Sequence, residues 1–137
     1  MRHPLHPALV HFPIASWSLA SAADLASLSL GQPAWWLAGV LMTIGLVTAI
    51  PAMAAGFMEL MRLPEDSAAI KDVNRHMIIV MTAFSMYLVS LLLRVDAMSL
   101  HAPGTLAIAL SLAGFVCLGV AGWLGGKLVY GHRVGAD

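Results

Sequence analysis

Four long apolar stretches leave this chain few ways to fold. A helix that crosses about 30 Å of hydrocarbon needs roughly 20 apolar residues. Stretches of that kind run from about Leu9 to Leu30, Ala34 to Phe57, His76 to Leu93 and Leu106 to Tyr130. Inside a bilayer no water is present to satisfy backbone polar groups, so such segments close their own hydrogen bonds as helices. Gly31-Gln32-Pro33 breaks the first hairpin and Pro103-Gly104 the third connection, both of them turn signals. The expected architecture is all-α: an integral membrane four-helix bundle, up-down-up-down, with residues 1–137 as a single domain.

Composition agrees. The chain is 60% hydrophobic and 10% charged, where a soluble domain carries about 25% charge. Its formal net charge is zero, which argues against nucleic acid as a partner, because phosphate binding needs a basic surface. Cys117 is the only cysteine; an internal disulfide or a cysteine-based metal cluster is excluded. The first apolar segment has an n-region of only Met1-Arg2 and no clear cleavage site, so it reads as a retained span rather than a leader.

Basic residues near span ends orient the bundle. Arg2, Arg62, Lys71, Arg75, Lys127 and Arg133 fall on one side and Arg94 alone on the other. This predicts a multi-pass protein with both termini and the middle loop, Glu59 to Arg75, in the cytoplasm. Helices in lipid meet through small residues. Gly122 and Gly126 form a G-x-x-x-G pair in the fourth span, and Gly45, Ala49, Ala52 and Gly56 recur in the second. Such positions serve close packing or leave room for a flat macrocycle. Asp24 and Arg94 leave their spans at the same side, which predicts an ion pair between them.

The histidines are the informative feature. Of six, His3, His6, His11, His76 and His132 fall at the basic end of the folded bundle and His101 at the other. From His76 the helical face runs through Ala83, Tyr87 and Ser90 to Arg94, the most polar face of its span. From His11 it runs through Ala15, Ser18 and Ala22, a stripe of small residues expected to face a neighbour. Two imidazoles on facing helices can ligate a haem iron axially. His11 and His76 are the first choice for that pair, with His6 and His132 as substitutes. An axial methionine from Met53, Met58, Met77 or Met81 ranks below them. Arg2, Arg75, Lys127 and Arg133 are the cations available to propionates. Pro13 lacks an N–H and frees the carbonyl of Leu9 to accept from an imidazole. Glu59 either sits solvated at a span end or orients a histidine. His3, His6 and Glu59 are the set for a divalent metal such as zinc or copper.

The opening His3-Pro4-Leu5-His6-Pro7-Ala8-Leu9-Val10-His11-Phe12-Pro13 and the closing Gly125-Gly126-Lys127-Leu128-Val129-Tyr130-Gly131-His132-Arg133-Val134-Gly135 resemble a bacterial family of four-span membrane proteins of unknown function. Its members open with H-P-x-H-P-x-x-V-H-F-P and close on a similar tail, in which a glycine stands at the place of Arg133. Relatives joined to Rieske iron–sulfur domains imply a redox setting in a bacterial inner membrane. The resulting expectation is a small b-type cytochrome carrying one haem b near the cytoplasmic face. It would exchange single electrons with quinol or with a redox partner such as a Rieske or cytochrome protein, alone or as a homo-oligomer. The alternatives are a non-catalytic accessory or scaffold subunit of a larger membrane complex and a divalent-metal binding or transport protein. No nucleophile–base pair or phosphate loop points to a hydrolase or a nucleotide-driven enzyme.

Overall fold

The computed structural model describes residues 5–134. A short helix α1 (Leu5–Leu9) leads into α2 (His11–Leu30), followed by α3 (Gln32–Leu60), α4 (Ile70–Leu92) and α5 (Thr105–His132). A two-stranded hairpin, β1 (Val95–Asp96) and β2 (Ser99–Leu100), joins α4 to α5. Among the described residues, α3, α4 and α5 are long and apolar enough to cross a membrane. The 20-residue α2 is diluted by Ser16, Ser18, Ser21, Asp24, Ser27 and Ser29, which lowers its hydropathy. Helices α3 and α4 extend beyond the apolar stretches that mark them, α3 to Leu60 and α4 back to Ile70.

Each long helix has two long neighbours: α2 packs on α3 and α5, and α4 packs on α3 and α5. A single residue, Gly31 at φ 66°, reverses the chain between α2 and α3, in the left-handed region where only glycine is unstrained. Contacts along α4 and α5 run in opposite order. Asp72 meets Lys127, His76 meets Ala121 and Ser90 meets Ala107, so that pair is antiparallel.

Stacked layers fill the interior. At the hairpin end, Arg94 makes a two-pronged bond to Asp24, Nη1 to Oδ1 at 2.7 Å and Nη2 to Oδ2 at 3.1 Å. Both side chains are fully buried, and the expected ion pair forms. Ser90 accepts from Arg94 through its carbonyl and its Oγ, and that Oγ donates to the carbonyl of Ala107. One layer deeper, Ser21 Oγ sits 2.8 Å from Tyr87 Oη and 3.0 Å from Ser111 Oγ. Three helices are tied there by bonds worth on average about 0.6 kcal/mol each inside a membrane. Below them Trp17 stacks on Tyr87, ring centres 4.9 Å apart and planes 6° from parallel, within a core of Ala20, Met42, Leu46 and Ala49. Trp17 fits because residue 45 is glycine: a Cβ there would overlap the indole. Gly114 admits Tyr87 in the same way.

The inner face of α2 is Pro13, Trp17, Ala20 and Asp24. The stripe expected to face a neighbour, His11-Ala15-Ser18-Ala22, instead has His11, Ala15 and Ala22 exposed. Burying a tryptophan and an aspartate outweighs burying alanines, and that sets the rotation of the helix. The inner face of α4 is as expected, with Ala83, Tyr87, Ser90 and Arg94 all buried.

Helix α5 ends on Arg133 at φ 55° and ψ 24°, a left-handed cap position that favours glycine. A side chain there costs about 1–2 kcal/mol. Arg133→Gly is therefore expected to raise stability by about 1 kcal/mol. Thermal unfolding in detergent checks this; an unchanged or lower midpoint would show that the arginine side chain repays its own strain.

Candidate functional site

Pro13 shapes the site. It cannot donate to the carbonyl one turn back; α1 and α2 are divided at Val10, and α1 packs mainly on α3. That turn carries His6 inward. Its Nδ1 lies 2.7 Å from the carbonyl oxygen of Ala52 in α3. From the other side His76, on α4, places its Nδ1 3.0 Å from the carbonyl oxygen of Ala121 in α5. The two imidazole ring centres are 6.5 Å apart and their planes stand at 89°.

Both rings border a cavity of about 510 Å³, within the roughly 300–1,000 Å³ usual for small-molecule and cofactor sites. Its walls are overwhelmingly apolar. Trp17 stands at its deep end, Met53, Met77 and Met81 contribute thioethers, and Gly122, Gly125 and Gly126 line the α5 side. A Cβ at Gly122 or Gly126 would meet nothing within 4 Å. This G-x-x-x-G pair therefore opens the cavity wall rather than seating a helix of the same chain. Glu59 also borders the cavity; its Oε1 accepts from the backbone N–H of His6 at 3.4 Å.

A backbone carbonyl can only accept, so in each contact Nδ1 carries the proton and donates. In the neutral ring Nε2 then keeps a free lone pair. A metal–imidazole nitrogen bond is about 2 Å long, which puts the ring centres of two imidazoles on opposite sides of one metal roughly 6 Å apart. A ring N–H donated to a backbone carbonyl is the usual support of a metal-ligating histidine.

The other sequence candidates are placed differently. His11 borders the cavity from its rim, but its ring is exposed and its Nδ1 lies 3.4 Å from the carbonyl of Ala8 in its own turn. The structure thus brings His6, not His11, to His76. The Leu9 carbonyl freed by Pro13 is not the acceptor; those of Ala52 and Ala121 are. His132 turns away from the cavity, Nε2 3.1 Å from Asp72 Oδ2. Lys127 Nζ reaches the same Oδ2 at 2.8 Å and Arg75 Nη1 reaches Oδ1 at 3.7 Å. Two of the four expected propionate cations, Arg75 and Lys127, are therefore gathered on a carboxylate, Asp72, that sequence reasoning missed. The available signal was spacing: Asp72 lies three residues before Arg75 and one turn before His76. His101 is exposed at the opposite end, beside the hairpin. His3 and Arg2 lie outside the described residues. Among the described residues no three histidine, cysteine, aspartate or glutamate side chains are grouped to hold a metal ion.

A family model described as "Predicted membrane protein (DUF2231)" matches residues 2–137. No curated protein and no solved structure matches the sequence.

Proposed function

The chain belongs to this DUF2231 family of predicted membrane proteins, and we propose that it is a four-span b-type cytochrome binding one haem between His6 and His76. One observation carries the reading: two imidazoles from separate helices stand 6.5 Å apart on one apolar cavity, each with Nδ1 bound to a backbone carbonyl. This revises the axial pair from His11–His76 to His6–His76 and leaves His11, at the rim, as the substitute.

Haem at this place would supply one-electron redox chemistry. The chain's own part is positional. His6 and His76 would hold the group through Nε2 while Nδ1 of each is bound to a backbone carbonyl, Gly122 and Gly126 would leave room along one wall, and the apolar lining would limit water. Arg75 and Lys127 remain the cations at that end for acidic edge groups, in competition with Asp72. In this reading α2 completes the span set and both termini face the cytoplasm of a bacterial inner membrane, by the distribution of basic residues. Quinol or a Rieske or cytochrome protein is the expected electron partner.

The test is a visible spectrum of the purified full-length protein from haem-replete cells, oxidised and then reduced. The expected result is a Soret band and a sharp reduced α-band. His6→Ala and His76→Ala should each abolish them, while His101→Ala and His132→Ala leave them in place. Colourless wild-type protein overturns the proposal and leaves an accessory subunit of a membrane complex as the reading to pursue. Loss on His11→Ala with retention on His6→Ala would restore the other pair.

A further inference from the structure

The two histidines are held in the same way by unrelated parts of the chain. His6 binds the carbonyl of Ala52, and residue 56 is glycine; His76 binds the carbonyl of Ala121, and residue 125 is glycine. In a helix the side chain at position i+4 leans back over the turn before it and covers the carbonyl of residue i. That carbonyl already accepts the helix bond from the i+4 N–H, and its second lone pair is reachable only if the covering side chain is absent. A Cβ on Gly56 would stand 2.8 Å from His6 Nδ1 and 2.9 Å from its Cε1. No real Cβ makes such contacts, so the His6 ring would have to move off the Ala52 carbonyl to make room. A Cβ on Gly125 would stand 3.4 Å from His76 Cε1 and 3.8 Å from its Nδ1, ordinary van der Waals contact, so alanine fits there and only a larger side chain would crowd the ring.

We propose that Gly56 is a positioning residue, with Gly125 its weaker counterpart: each leaves the carbonyl four residues earlier open to an imidazole, so that His6 and His76 are held as Nδ1–H tautomers with Nε2 free. The tautomer is the functional content. An imidazole protonated on Nε2 has no lone pair for a metal on the side away from its carbonyl, and turning the ring to present Nδ1 would break the carbonyl bond. The geometry stands by itself; its purpose rests on the reading of this pair as axial ligands. It also separates two kinds of glycine on α5. Gly125 touches an imidazole, whereas Gly119, Gly122 and Gly126 face open space.

The experiment is nitrogen NMR of the full-length protein labelled with 15N-histidine, prepared without haem, with His6→Gln and His76→Gln used for assignment. The expected wild-type result is Nδ1 protonated and Nε2 unprotonated at both positions. Gly56→Ala should remove that pattern from His6 and leave His76 unchanged, Gly125→Val should do the reverse, and Gly119→Ala should alter neither. A haemin titration of the same preparations should weaken by about 10–100-fold in the Gly56 and Gly125 variants, the usual loss when a ligand's supporting bond is removed. Wild-type His6 and His76 protonated on Nε2 would overturn the inference at once, without any variant. Glycine variants that keep the wild-type pattern would overturn it as well. A wild type with the expected tautomers that takes up no haemin overturns the cytochrome reading and leaves the positioning device intact.

Discussion

Replacing Asp24 with alanine is expected to destabilise the fold by about 3–5 kcal/mol, the range found when one partner of a buried ion pair is removed. The pair is two-pronged, and neither side chain touches solvent. Without Asp24, Arg94 keeps its bonds to the carbonyl and Oγ of Ser90 but loses the charge that neutralises it. Its head would have to leave the bundle past the β1–β2 hairpin, whose first residue follows it directly and whose His101 N–H bonds the Arg94 carbonyl. Arg94→Ala should cost a similar amount, because it leaves a buried carboxylate without a donor. Asp24→Ala combined with Arg94→Ala should cost clearly less than the two single changes added together, since no charge is then stranded. Unfolding in mixed micelles, followed by far-ultraviolet circular dichroism, gives all three values. Additive losses, or a single-variant loss below about 1 kcal/mol, the median of solvent-exposed pairs, would show that the pair is effectively solvated.

That pair was legible in the sequence because charge inside an apolar span has few places to go. The same applies to the face of α4 from His76 to Arg94, whose polar residues can only turn inward. The rotation of α2 was not legible. In lipid an apolar side chain is as much at ease outside the bundle as within it, so hydrophobic periodicity carries little information. The choice fell to Trp17 and Asp24, two side chains out of phase with His11. His6 is the inward histidine because α1 packs on α3 and its ring bonds the Ala52 carbonyl. Pro13 was visible in the sequence, but the packing of α1 on α3 was not. The hairpin after α4 was unannounced for another reason. Its two turn residues, Ala97 and Met98, adopt positive φ without the glycine or asparagine that usually marks such a turn. Asp72 holds Arg75, Lys127 and His132 away from the cavity because a carboxylate offers two cations and an imidazole N–H better partners than an apolar opening does. Counting cations by membrane side could not detect that competition.

The glycines of this chain should divide into two classes under substitution. Gly122→Leu and Gly126→Leu are expected to leave the helices and the unfolding midpoint nearly unchanged while lowering haem uptake by at least about 100-fold, roughly 2.7 kcal/mol. A Cβ at either position meets no atom within 4 Å, so the added side chain has room, and both glycines line the cavity that His6 and His76 border. A rigid macrocycle cannot share it with a leucine. Gly45→Val should do the opposite. Its Cβ overlaps the Trp17 indole, which is clamped between α3 and the Tyr87 ring, so relief requires the helices to part. The cost is about 1–3 kcal/mol of stability, with haem uptake reduced only in proportion to the fraction unfolded. Soret absorbance per folded molecule separates the classes, because it divides out the loss of fold. If Gly122→Leu and Gly126→Leu unfold the protein or dissociate an oligomer, those glycines seat a helix of a second copy rather than a flat ligand. If both variants keep full absorbance, the cavity between the two imidazoles is not where the pigment sits, and the spacing of His6 and His76 owes nothing to a metal.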